Sequence, residues 1–191
     1  GGICASFWIE GGANFDTTID HDILTRGDGA TTGYSIRWQA STNRIVGTLY
    51  GPNGSYSVSS RPWSPSEGWT HFVIQLDNVE CRDMSRHGGQ AYVNGALTGY
   101  TACPVEFEYG RVGDWVGPYP NVLNAGGFKF ANFSVYARTL HGGEIVDLYV
   151  RNREQPKTDL GVWVFGNDNR VTSSSFNYAG TELTPVGTPE Y

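Results

Sequence analysis

Cations are scarce in this sequence. Lys and Arg number 13 against 19 Asp and Glu, for a formal net charge of −6. A surface of that sign repels phosphates instead of neutralising them, which argues against non-specific nucleic-acid binding and against anionic membrane surfaces. No apolar run approaches the roughly 20 residues of a membrane-spanning helix, so membrane insertion is not expected. Cysteine is sparse. Cys4, Cys81 and Cys103 form no CxxC pair and no His/Cys ligand spacing, which argues against a zinc site. Helical periodicity is almost missing. The exception is 142–150, where Ile145, Leu148 and Tyr149 recur at i, i+3, i+4 and predict one or two turns.

What the chain does have is apolar and aromatic weight broken by turn formers. Hydrophobic residues make up 39% and aromatics 14%, with 26 Gly and 9 Pro among 191 residues. The apolar share supports a packed core and excludes intrinsic disorder. Short strands joined by tight turns have this composition, and the length suits one all-β domain. The chain opens on Gly1 instead of Met, as a processed chain or a piece of a longer one does.

The strands show by alternation. In 33–39, Tyr34, Ile36 and Trp38 face one side and Ser35, Arg37 and Gln39 the other. A Ser-Thr-Asn turn at 41–43 then joins this strand to 44–50 as a hairpin. Residues 5–10, 55–60 and 69–77 read as further strands, the last with Phe72, Ile74 and Leu76 on one face. Ala91-Tyr92-Val93 runs into Asn94-Gly95, a hairpin-turn signal. In 128–137, Phe128 and Phe130 alternate on one face while Phe133 and Val135 lie on the other, which predicts a central strand apolar on both sides. Residues 1–150 read as the domain and 151–191 as a C-terminal extension. Its connector, 151–159, is polar, and 160–165 reads as one more strand.

Six segments in this order resemble the laminin-G-like and concanavalin-A-like lectin jelly-roll family: 6–9 (SFWI), 23–28 (ILTRGD), 33–36 (GYSI), 68–73 (GWTHFV), 91–95 (AYVNG) and 130–140 (FANFSVYARTL), followed by the acidic Glu144. The resemblance covers roughly 5–150 and implies an all-β, two-sheet antiparallel jelly-roll β-sandwich with at most one short helix. Family members include lectins, matrix-binding modules, adhesins and some glycan-cleaving enzymes, so the likeness speaks to fold before function. Members usually carry a strand ahead of the segment that begins here at Ser6. This chain has almost nothing there, and its last forty or so residues match no family segment.

The function expected is an extracellular binding or adhesion module, secreted or at a cell or virion surface. Its expected partners are a glycan or a matrix glycoprotein. The alternative is a structural subunit of a surface filament, capsid or coat that self-assembles through terminal strands. Loop aromatics are the candidate sugar platforms: Trp63 between two prolines, and Trp115 and Tyr119 beside Asp114 in a Gly- and Pro-containing loop. Trp8 and Trp69 sit inside strand segments and read as core. Asp20, Asp22 and Asp28 lie in or near the first long loop and are candidate Ca²⁺ ligands, although no calcium-loop pattern is present. Arg26-Gly27-Asp28 spells the integrin-binding tripeptide but reads as an ordinary basic-Gly-acidic turn.

No enzyme is expected. Glu106 and Glu108 share one strand face, but they do not match the Glu-x-Asp-x-x-Glu pattern of the family's glucanases. His71 lies within a strand and reads as structural. Of two N-glycosylation sequons, Asn53-Gly54-Ser55 sits in a turn open to a glycan, whereas Asn132-Phe133-Ser134 lies in a strand and is expected bare. Antiparallel strands around the 82–90 loop bring Cys81 and Cys103 together. This predicts a disulfide there, worth about 3 kcal/mol by loop closure, with Cys4 left over. Because 160–165 is apolar on both faces, it is expected to pair with the sandwich in place of the missing first strand.

Overall fold

The computed structural model describes residues 2–52, 54–77, 88–103, 121–123, 127–136, 138–153 and 176–178. The strands are β1 (Gly2–Gly11), β2 (His21–Gly27), β3 (Gly33–Gln39), β4 (Arg44–Gly51), β5 (Gly54–Pro62), β6 (Thr70–Asp77), β7 (Gly88–Val93), β8 (Ala96–Ala102), β9 (Asn121–Leu123), β10 (Phe128–Tyr136) and β11 (Phe176–Tyr178). A 3₁₀ turn, Pro65–Glu67, precedes β6, and a helix, α1 (Gly142–Arg153), follows β10. The strands form two stacked sheets. One runs β10-β1-β6-β7-β8, and the other β11-β9-β2-β3-β4-β5. All described pairs are antiparallel except β11 with β9. This is the two-sheet jelly-roll β-sandwich that the sequence implies.

The alternation read in the sequence builds the core directly. Tyr34, Ile36 and Trp38 of β3 point between the sheets and meet Phe72, Ile74 and Leu76 of β6 in one buried cluster. The β3–β4 hairpin forms as expected, with Gln39 opposite Arg44. Asn94 and Gly95 both take positive φ, 50° and 79°, as a type I′ turn between β7 and β8 requires. The two sheets close along one side where β5 meets β8. A Cβ at Gly99 would sit 1.9 Å from the Ser59 carbonyl oxygen, so only glycine admits this approach.

Strand β10 differs from its expected place. Among the described residues it pairs with β1 alone and ends the five-stranded sheet instead of lying in its middle. The apparent two-sided pattern has a local cause. The β1–β10 register shifts between Ser6 and Trp8, and Asn132 takes a positive φ of 50° there. This bulge resets the alternation, so Phe130 and Phe133 both enter the same core. Phe7 stacks on Phe133 at 5.0 Å and meets Phe130 edge-on at 6.3 Å.

The extension also returns to the sandwich. Its strand β11 pairs in parallel with β9, Asn177 lying opposite Val122, at the edge of the six-stranded sheet. The 160–165 segment lies outside the described residues.

Candidate functional site

The two outer sheet faces differ in kind. That of the five-stranded sheet is capped by α1, whose Ile145 is buried with Cys4, Val73 and Leu140. Tyr149 of α1 stacks on Trp8 at 5.8 Å, and Trp8 lies 5.2 Å from the His71 ring. Core residues on one side and α1 on the other leave β6 buried along its whole length. Beneath the helix, Ser6 Oγ and His71 Nε2 share a hydrogen bond of 3.0 Å. This is the pairing of a nucleophile and its base, but both residues are buried, which keeps substrate away and makes the pair structural. Burial likewise pushes the Cys4 thiol far above its usual range.

The face of the six-stranded sheet carries no described helix or strand. Register places Thr25, Ser35, Thr48 and Ser57 side by side across β2, β3, β4 and β5, with Val122 of β9 extending the row. Their neighbours in sequence point into the core, so these side chains point outward. Thr48 Oγ1 and Ser57 Oγ share a hydrogen bond of 2.7 Å. The Tyr50 hydroxyl, one outward position further along β4, shares one of 3.1 Å with Ser35 Oγ. On the other side of the row lie Asp22, Arg37, Val46 and Ser59. Arg37 donates to Asp22 at 2.9 Å, and both side chains stay about two-fifths exposed, at 40% and 42%. Arg44 follows on β4 and turns its guanidinium onto the Ser60 carbonyl.

Ser35 is itself only 4% exposed, its hydroxyl met by Tyr50. What this surface offers is therefore the Thr25, Thr48 and Ser57 hydroxyls, which both donate and accept, a carboxylate that accepts, a guanidinium that donates and a phenol at its border. Adjacent diols of a sugar ring match that donor and acceptor mixture. Reading the sequence strand by strand missed the row, because its members lie on separate strands and meet only through register. The outward set Ser35, Arg37 and Gln39 was the part visible in advance.

Trp63 does not serve as a platform. It is 1% exposed, stands edge-on to Phe72 at 5.5 Å and donates from Nε1 to Thr70 Oγ1 at 2.9 Å. The cause is the 3₁₀ turn that follows. Ser64 and Glu67 cap its N-terminus reciprocally, the Ser64 N–H donating to Glu67 Oε1 at 2.9 Å, and the folded loop directs the indole inward. Trp8 is buried as expected, and Trp69 is half-buried. Asp114, Trp115 and Tyr119, along with Asn53, Cys81, Glu106 and Glu108, lie outside the described residues. Cys103 is buried.

Among the described residues no three or more His, Cys, Asp or Glu gather as metal ligands do. Asp20 accepts from the Ala40 N–H at 2.8 Å, and Asp22 pairs with Arg37. Asp28 accepts from the backbone N–H groups of Ala30, Thr31 and Thr32 and from the Thr31 hydroxyl. Those bonds, led by Ala30, hold its carboxyl well below the usual range. Thus the Arg26-Gly27-Asp28 tripeptide opens a turn closed by its own aspartate.

No family model matches this sequence, and no curated protein matches it. Solved structures do. The botulinum neurotoxin serotype C1 binding domain is 16% identical with a TM-score of 0.54, covering 80% of this chain and 37% of that one. The binding domain of botulinum neurotoxin DC in complex with SialylT is 15% identical with a TM-score of 0.53, covering 78% of this chain and 35% of that one. The CBM40 of the Ruminococcus gnavus IT-sialidase, bound to α2,3-sialyllactose, is 11% identical with a TM-score of 0.53, covering 78% of this chain and 82% of that one. At such identities the likeness is one of fold, the two-sheet jelly-roll β-sandwich. The chain spans only about a third of the neurotoxin domains it resembles.

Proposed function

We propose that this chain is an extracellular glycan-recognising module, a binder and not a catalyst. One observation carries the reading. Of the two outer sheet faces, the one without a described covering element presents the Thr25, Thr48 and Ser57 hydroxyls around a buried Ser35, flanked by a part-exposed Asp22–Arg37 pair and by Tyr50. Two of the neighbours in fold bear sugar-related ligands in their structures, which supports a glycan as the partner and leaves its sugar class to the residues of this chain. Matrix glycoproteins present such glycans and are the natural macromolecular partners. The test is a glycan array probed with the whole chain, once with calcium and once with a chelator. Saturable binding to a defined set of sugars supports the reading, and a blank array under both conditions rejects it. Loss of signal in the chelator would bring Asp20, Asp22 and Asp28 back as calcium ligands.

A structural-subunit reading draws on a different observation, the C-terminal strand β11 laid in parallel on β9 at a sheet edge. A terminal strand of that kind can be supplied by a second copy, which builds dimers or open polymers. Light scattering across a concentration series separates the readings. A concentration-independent monomer fits the module, and growth into larger assemblies fits the subunit.

A further inference from the structure

The geometry of the described residues points to uncharged oligosaccharides, in preference to sialylated or otherwise acidic ones, as the ligands of the outer face of the six-stranded sheet. The inference rests on the glycan-binding reading and names the sugar class. A carboxylate-bearing sugar needs a cation free to meet it, best of all an arginine fork. Among the described residues that face outward with the row, Arg37 is the arginine beside it, being the next outward residue of β3 after Ser35. Its fork is already met by Asp22 at 2.9 Å. An acidic sugar there would face the Asp22 carboxylate as well as the guanidinium and would have to displace one from the other. Arg44 stands four residues from Thr48, roughly 13 Å along the strand, with its guanidinium on the Ser60 carbonyl. The chain as a whole carries −6, which adds long-range repulsion toward an anion.

A neutral diol meets none of these obstacles. Asp22 and Arg37 are each about two-fifths exposed while paired, so the carboxylate has lone pairs and the guanidinium has N–H groups left for sugar hydroxyls. The outward-facing Thr48 and Ser57 hydroxyls continue that donor and acceptor surface across the strands. Asp22 is therefore the specificity-determining residue: it turns what would be an anion site into one for uncharged diols.

The experiment prints the same oligosaccharides in asialo and sialyl forms and probes them with wild-type protein, Asp22→Asn and Thr48→Val. The wild type should favour the asialo member of each pair by on the order of tenfold. Asp22→Asn removes the neutralising carboxylate and should shift preference toward the sialyl member. Thr48→Val, which keeps shape in an exposed strand position, should weaken asialo binding and leave thermal unfolding unchanged. Wild-type preference for sialyl forms overturns the inference. So does binding that neither variant alters, which would place the site elsewhere while leaving glycan recognition intact. A wild-type protein silent toward every probe instead sinks the glycan-binding reading itself.

Discussion

The side-chain amide of Gln75 stands in for a neighbouring strand at Leu140. It donates from Nε2 to the Leu140 carbonyl oxygen at 3.2 Å and accepts the Leu140 N–H at Oε1. Both residues are buried, so these two bonds satisfy backbone groups that lack access to water. The contact pins the segment entering α1 onto β6, and α1 in turn closes one face of the sandwich. Gln75→Leu leaves the Leu140 N–H and C=O unmet and should cost about 2–3 kcal/mol. Chemical denaturation checks it, and a midpoint within error of wild type would show that α1 docks without this lock.

Trp63 should behave as core. Truncation to Ala removes a fully buried indole and its bond to Thr70, and such a change typically costs about 3–5 kcal/mol. The contrast with a binding residue is sharp. Trp63→Ala should lower the unfolding midpoint strongly, whereas Thr48→Val should leave it alone. A well-folded Trp63→Ala protein that loses only glycan binding would contradict the burial.

The entry to α1 predicts a pH dependence. Arg138 grips Glu144 through two bonds, of 2.7 and 2.9 Å, and Glu144 also accepts the His141 N–H at 2.8 Å. The Arg138 bonds, followed by that of His141, lower the Glu144 pKa to about 2 from an ordinary 4.5. A carboxyl lowered in the folded state contributes stability that is fully present above 4.5 and lost as pH falls toward 2. Both side chains are more than a third exposed, so solvent screening holds the effect to about 1 kcal/mol or less. Glu144→Gln should therefore flatten part of the acid limb of stability between pH 5 and 2, measured by urea unfolding at stepped pH. An unchanged acid limb would mean that the pair contributes nothing net.

Much of the fold was legible because it rests on alternation, and alternation is local. Tyr34, Ile36 and Trp38 declared the inner face of β3, and Asn94-Gly95 declared the β7–β8 turn. Strand β10 was misplaced for an equally local reason. One left-handed residue, Asn132, shifts the alternation by a position, and hydrophobicity alone then looks two-sided. The loop around Trp63 held its own signal: Ser64-Pro65-Ser66-Glu67 has the spacing of a capping box, which marks an ordered turn where Pro-rich composition suggests an open loop. The candidate site was the least legible part. Thr25, Ser35, Thr48 and Ser57 lie on four strands, and their alignment depends on a register that the composition of each strand leaves open.

The central claim is that glycans are recognised on the outer face of the six-stranded sheet. Nuclear magnetic resonance of ¹⁵N-labelled protein, titrated with the strongest oligosaccharide from the array, tests it most directly. The account predicts saturable shifts in the backbone amides of Thr25, Ser35, Arg37, Thr48 and Ser57 and in the Arg37 side chain, with Tyr149 of α1 and Trp8 beneath it unmoved. Saturable shifts that cluster around α1 and leave the hydroxyl row untouched would contradict it.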